Sequence, residues 1–91
     1  MSKEKKMIER NIELSAEFSR YLFEHSEIEE KIPMESEIIL LPEFDEELKE
    51  YNLKMGKNME AEGEKVIYVS IKEIRPKALS RIGKIELESV P

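Results

Sequence analysis

The sequence contains no cysteine, tryptophan, glutamine or threonine, and its 91 residues include three glycines and four prolines. The absence of cysteine excludes disulfides, thiolate chemistry and cysteine-ligated metals. No apolar run approaches the roughly 20 residues that cross a bilayer, and no long apolar segment follows the charged first residues, as it would in a secretory signal. We therefore expect a cytoplasmic protein that makes no contact with a membrane.

The scarcity of glycine and proline also leaves no linker, so we expect residues 1–91 to form a single small domain. Charged and hydrophobic residues each make up 40% of the chain, which provides enough apolar side chains for a core. The formal net charge of −6 argues against a surface that binds nucleic acid throughout.

The acidic residues are almost all glutamate, with Asp45 as the single aspartate. Abundant glutamate together with few thermolabile side chains is typical of heat-adapted proteins. The composition therefore predicts a thermophilic prokaryotic source.

The first predicted element is a helix from about Lys3 to His25, a stretch without glycine or proline. Its apolar side chains recur with helical spacing and form one broad face. These side chains are Met7, Ile8, Ile12, Leu14, Phe18, Tyr21 and Leu22. A short second helix is predicted at Ser26–Glu29, where serine and glutamate match a capping box.

The next segments predict a βαβ unit. The apolar run Glu37–Pro42 is typical of a strand buried on both faces. A helical pattern follows to Glu62, and Lys65–Lys72 has the composition of a second strand. Two strands joined through a helix by short connections are nearly always parallel. The alternating segment Lys84–Glu88 predicts a half-exposed edge strand at the C-terminus.

The predicted architecture is thus an α/β fold in the order α-β-α-β-β. A sheet of two or three strands is thin for independent stability. We therefore expect a homo-oligomer, with a dimer favoured, that associates through a helix face or a strand edge.

Three polar residues are candidates for a site. Asn11 lies within the apolar face of the first helix, and Asn52 lies on the flank of the apolar face of the later one. A buried unsatisfied amide costs about 1–3 kcal/mol, so each asparagine either satisfies a local group and fixes the packing, or contributes to a site for a small polar ligand. His25 is the single histidine, and it can act as a general base or stabilise the helix end.

An acidic cluster follows the first strand, at the end of a parallel sheet where ligands usually bind. It consists of Glu43, Asp45, Glu46 and Glu47. Close carboxylates can bind a divalent cation, but acidic residues in the first turn of a helix also stabilise that helix. We favour the stabilising role, and we predict no metal and no cofactor.

Charge is distributed unevenly along the chain. Residues 1–64 carry nine basic and 18 acidic side chains, whereas residues 65–91 carry six basic and three acidic ones. A basic patch is predicted within residues 74–85, formed by Arg75, Lys77, Arg81 and Lys84. Such a patch can contact phosphates, pair with an acidic helix of a second subunit, or be solvated without a specific role.

Several segments together resemble a small prokaryotic α/β family that is known only as a domain of unknown function. They are Asn11–Phe18, Tyr21–His25, Ile32–Pro33, Ile39–Glu43 and Glu50–Leu53. The resemblance covers roughly residues 8–72 and implies a compact intracellular α/β protein. It implies no activity and no site residue.

Three functional hypotheses remain. The favoured one is a non-enzymatic, acidic, cytoplasmic protein that acts by self-association, with a basic protein as a further candidate partner. The first alternative is a regulatory or accessory protein that contacts nucleic acid through residues 74–85. The second alternative is a small-molecule enzyme with a pocket near Asn11, His25 and Asn52.

Overall fold

The residues that the structure describes fold as a small α/β domain of three helices and a two-stranded sheet. The structure is a computed structural model that describes residues 2–76 and 81–88. The elements in chain order are α1 (Lys3–Glu24), α2 (Ser26–Glu29), β1 (Glu37–Pro42), α3 (Glu46–Ala61) and β2 (Val66–Ile71). The predicted α/β class is confirmed. None of the helices in the described ranges has the length and apolar composition of a membrane span.

Helix α1 begins at a serine cap and ends at the single histidine. The Ser2 hydroxyl accepts a hydrogen bond from the Lys5 N–H at 3.2 Å, which satisfies one of the free donors of the first turn. Met7 and Leu14, which lie two turns apart on one face, are its buried residues.

The predicted capping box of α2 is wrong. Ser26 is the first residue of α2, its cap residue is His25, and no side chain caps the helix. Because a single residue separates the two helices, the backbone takes over this role: the His25 carbonyl accepts the N–H groups of Ile28 and Glu29.

The sheet consists of β1 and β2, which are parallel as predicted. Their register runs from Glu37 opposite Val66 to Pro42 opposite Ile71, and α3 forms the connection between them. The Asp45 side chain caps α3 by accepting the Leu48 N–H at 3.2 Å. Gly63 follows α3 with a φ of 88°, a left-handed conformation that favours glycine after a helix.

The core lies where α1 and α3 meet the sheet. A buried cluster joins Met7 and Leu14 of α1 to Leu40 of β1 and Leu48 of α3. Four half-buried residues pack around it: Phe18, Tyr51, Val69 and Ile71. Ile39, Leu40 and Pro42 of β1 are buried, whereas Ile38 is exposed, so the prediction of burial on both faces holds for the second half of β1.

Gly56 allows helix α3 to approach the sheet closely. A Cβ atom at this buried position would lie 2.7 Å from Cε1 of Tyr68 and 3.1 Å from Cγ1 of Ile39. A glycine within a helix costs stability relative to alanine, and the close approach of Tyr68 is the reason that it is needed here.

The predicted C-terminal edge strand is wrong. Residues 82–88 have no regular secondary structure, and the sheet of the described residues contains two strands. Ile85 is 69% exposed and Leu87 is 95% exposed. Alternation indicates that a segment suits a strand, but a strand also needs a neighbour to pair with, and the sequence does not specify that neighbour.

Candidate functional site

The two asparagines singled out in the sequence form a reciprocal amide pair. Nδ2 of Asn11 donates to Oδ1 of Asn52 at 2.8 Å, and Nδ2 of Asn52 donates to Oδ1 of Asn11 at 2.8 Å. Nδ2 of Asn52 also donates to the Leu40 carbonyl at 2.8 Å. Asn52 is 1% exposed, and both of its N–H donors are used.

The amide pair joins three elements at one point. Asn11 belongs to α1, Asn52 belongs to α3, and the Leu40 carbonyl belongs to β1. Each of these hydrogen bonds satisfies a polar group that would be costly to bury without a partner. The geometry therefore corresponds to the packing role considered for these residues, in which the amides bind each other and the backbone.

His25 lies far from the amide pair. It follows Asn11 by 14 residues along α1 and its cap, which corresponds to about 21 Å at about 1.5 Å per residue. Its ring stacks on Tyr21 with the ring centroids 4.0 Å apart. Its Nδ1 lies 2.9 Å from the Tyr21 carbonyl, so the Nδ1–H form donates this bond. The structure thus brings Asn11 and Asn52 together and leaves His25 at the C-terminal end of α1.

An open groove lies between α1 and α3 beside the amide pair. One part has a volume of about 350 Å³ and is lined by Ile8, Asn11, Ile12, Ser15, Tyr51 and Met55. A second part of about 420 Å³ shares Tyr51 and Met55 and continues along α3 past Met59 to Glu62. We call the surface formed by Ile8, Ile12, Tyr51, Met55 and Met59 the apolar groove. Ile8 is 48% exposed and Ile12 is 65% exposed.

Glu43 connects the ends of both strands to α3. Its Oε2 lies 2.8 Å from Nζ of Lys49, and its Oε1 accepts the Ser70 hydroxyl at 2.8 Å. Lys72 approaches Oε1 at 3.9 Å. The hydrogen bond from Lys49, followed by the one from Ser70, lowers the pKa of the Glu43 carboxyl. The same bond to Glu43 raises the pKa of Lys49.

Two further residues of the acidic cluster, Asp45 and Glu47, also bind cationic side chains. Arg10 of α1 lies 3.5 Å from Asp45 and 3.0 Å from Glu47, and Lys3 lies 3.8 Å from Glu47. Among the described residues there is no group of three or more side chains able to hold a metal ion. The cluster acts here as a helix cap and as an ionic connection between α1 and α3.

The predicted basic patch is partly described. Arg75, Arg81 and Lys84 are exposed, whereas Lys77 lies outside the described residues. They belong to segments without regular secondary structure beyond β2.

The sequence analysis missed the contact between Tyr68 and α3. The Tyr68 hydroxyl is buried without a hydrogen-bond partner in the described ranges. Burial raises its pKa, and the nearby Glu60 carboxylate raises it further. A glycine in the middle of an otherwise helix-forming segment was the available signal, since such a position indicates a close approach by another element.

Comparison with known proteins places the chain in a family. No curated protein and no solved structure matches it. A family model described as a family of unknown function, DUF5647, matches residues 6–85. The match extends over more of the chain than the segments that carry the resemblance in the sequence. The chain belongs to this family of unknown function.

Proposed function

We propose that the protein acts by self-association and that two copies join through the apolar groove. The observation that carries this proposal is the exposure of Ile8 and Ile12, which lie four residues apart on one face of α1. They stand beside Tyr51 and Met55 of α3 and form a continuous apolar surface with them. Soluble monomers rarely leave extended apolar patches uncovered.

A second copy of the same chain suits this surface. Side chains four residues apart form a ridge on a helix, and such ridges pack into the grooves of a facing helix. A two-fold axis brings the same surface of both copies together. Lys54 and Glu62 line the groove along α3, so Lys54 of one copy can face Glu62 of the partner subunit. Charges of opposite sign at the rim favour the correct orientation.

The size of the sheet supports the same proposal. Two strands bury little surface by themselves, and a small domain gains stability by covering more apolar area. We propose on this basis that the dimer is the form in which the protein acts. The acidic helices make a basic protein a further candidate partner, because residues 1–64 have a net charge of −9.

Light scattering coupled to size-exclusion chromatography tests this proposal. We expect about twice the chain mass of 10.7 kDa at micromolar concentration. Ile12→Glu places a charge in the centre of the groove, and we expect this variant to be monomeric. Lys6→Glu is the matched control, because it introduces the same side chain at an exposed position about 120° around α1. Wild-type protein that stays monomeric at high concentration would contradict the proposal.

The proposal does not include nucleic acid as a partner. The negative charge of residues 1–64 repels a polyanion at long range, although Arg75, Arg81 and Lys84 are exposed. A complex with mixed DNA or RNA at physiological ionic strength, weakening steeply with added salt, would instead support the alternative hypothesis.

We also propose a cytoplasmic location and a thermophilic prokaryotic source. The support comes from composition, namely the absence of cysteine and glutamine and the predominance of glutamate over aspartate. A thermal unfolding midpoint above the range of about 45–65 °C that is usual for mesophilic domains is expected. A midpoint within that range would count against the thermophilic source.

A further inference from the structure

The two edges of the sheet differ in how their backbone groups are used. The Glu37 N–H donates to the Lys65 carbonyl at 2.8 Å, and the Glu43 N–H donates to the Ile71 carbonyl at 2.9 Å. In a parallel ladder the residues that face the neighbouring strand alternate. The backbone groups of Val66, Tyr68 and Ser70 therefore point away from β1, toward the outer edge of β2.

The outer edge of β1 is blocked. By the same alternation, Leu40 and Pro42 face outward on β1. The Leu40 carbonyl is occupied by Asn52 at 2.8 Å, and Pro42 has no N–H to offer. Ile38 also faces outward, but a further strand has little to pair with along Leu40–Pro42.

The outer edge of β2 has no such protection. Val66–Ile71 contains no proline, glycine or charged residue, and no other strand of the described residues pairs with this edge. Proteins usually protect open edges with lysine, proline or a bulge, because an unprotected edge is a template for another strand.

A segment that suits this edge lies further along the chain. Lys84–Glu88 alternates charged and apolar residues, so that in an extended conformation Ile85 and Leu87 point to one side. Both are exposed, at 69% and 95%. The segment therefore has the pattern of a strand with one apolar face and leaves that face uncovered.

The core is incomplete on the side where such a strand would lie. Val69 and Ile71 of β2 and Phe18 of α1 pack against the buried cluster but remain half-buried themselves. A strand beside β2 with Ile85 and Leu87 on the same side as Val69 would extend the cluster and cover these residues. The segment thus exposes apolar side chains, and the side of the core beside β2 has half-buried residues that they would cover.

We propose that residues 84–88 of one copy add as a third strand to the outer β2 edge of a second copy. In the part of the chain that the structure describes, this segment lies outside the sheet, so the edge and the segment are both open to another molecule. Reciprocal exchange between two copies fills both edges at once, and exchange of identical elements is a low-cost route to a dimer. This inference goes beyond association through the apolar groove and uses different residues.

The exchange is tested by NMR, through the broadening that a spin label on one chain causes in the amide signals of another chain. Because the chain has no cysteine, Glu86→Cys provides a single attachment point for a nitroxide label. The labelled chain is mixed with unlabelled, ¹⁵N-enriched full-length protein. We expect broadening of the amide signals of Val66, Tyr68 and Ser70 in the enriched chain. A label at Glu27→Cys on α2 is the matched control, and it should leave these three signals sharp.

Replacing the apolar residues of the segment gives the second arm. The double variant Ile85→Glu, Leu87→Glu in the labelled chain should abolish the broadening. Ile12→Glu in both chains removes association through the apolar groove, but it should preserve the broadening at concentrations above those at which this variant is monomeric. If Ile12→Glu prevents dimer formation and the β2 signals still broaden at higher concentration, the exchange stands on its own. If the signals broaden only when the label and the ¹⁵N isotope are in the same chain, the pairing is intramolecular and the proposal is overturned. An absence of broadening at β2, with or without broadening near Ile8, would also overturn it.

Discussion

The sequence predicts a strand both at Glu37–Pro42 and at Lys84–Glu88, but the two segments have opposite environments. Ile39 and Leu40 of β1 are 3% and 6% exposed, whereas Ile85 and Leu87 are 69% and 95% exposed. β1 is paired with β2 and packs against α3, while the later segment lies outside the sheet of the described residues and is exposed. The burial of a strand is therefore decided by the elements that pack on it, and the alternation of its side chains is not sufficient.

The largest expected effect comes from introducing an aspartate into each of the two regions. Leu40→Asp buries a carboxylate in the centre of the core, and we expect it to lower the free energy of unfolding by several kcal/mol or to prevent folding. Leu87→Asp changes an exposed position, and we expect an effect within about 0.5 kcal/mol. Chemical denaturation at concentrations that keep the protein monomeric measures both. Equal losses in the two variants would contradict the difference between the regions.

Substitutions in the amide pair should have an intermediate effect on the free energy of unfolding. Asn52→Ala removes a buried side chain and leaves the Leu40 carbonyl and Asn11 unpaired, so we expect a loss of about 2–4 kcal/mol. Asn11→Ala should cost less, because Asn11 is half-buried and water can reach part of its amide. The double variant should show a coupling energy of about 0.5–3 kcal/mol between the two residues. Strictly additive losses would show that the pair does not act as a unit.

Gly56→Ala tests the close contact between α3 and β2. Alanine favours a helix, yet we expect a net loss of about 1–3 kcal/mol because its Cβ collides with Tyr68. Tyr68→Leu in the same chain should recover part of this loss by removing the aromatic ring. A gain in stability for Gly56→Ala alone would mean that the strand adjusts to the added methyl group.

The smallest expected effect concerns pH and Glu43. The pKa of this carboxyl is lowered from 4.5, so its contribution to stability is fully present above the pKa of the unfolded chain and is lost as the pH falls through the lower folded value. The corresponding contribution of Lys49, whose pKa is raised from 10.5, is lost as the pH rises past its folded value. Glu43→Gln should flatten the acid limb of a plot of unfolding midpoint against pH. An unchanged acid limb would contradict the role of Glu43.

Hydrophobic periodicity was sufficient to predict α1, β1, α3 and β2, because each buries one face or both against a neighbour. It could not predict the partner of Asn11, since the pairing with Asn52 spans 41 residues. It also could not show that His25 lies far from Asn11, because a helical projection gives the angle around the axis and not the distance along it. Periodicity assigned Ile8 and Ile12 to the apolar face of α1. This face is wider than the part of it that packs on the core, so both side chains remain exposed.

The amide pair leads us to expect a particular order of folding. Strand β1, helix α3 and strand β2 follow one another closely, so their contacts close short loops and form early. Helix α1 joins them through a contact between residues 41 positions apart, which requires α3 and β1 to be in place before both amides and the Leu40 carbonyl are satisfied. We therefore expect the docking of α1 to complete the domain late in folding and to reverse early when the domain opens.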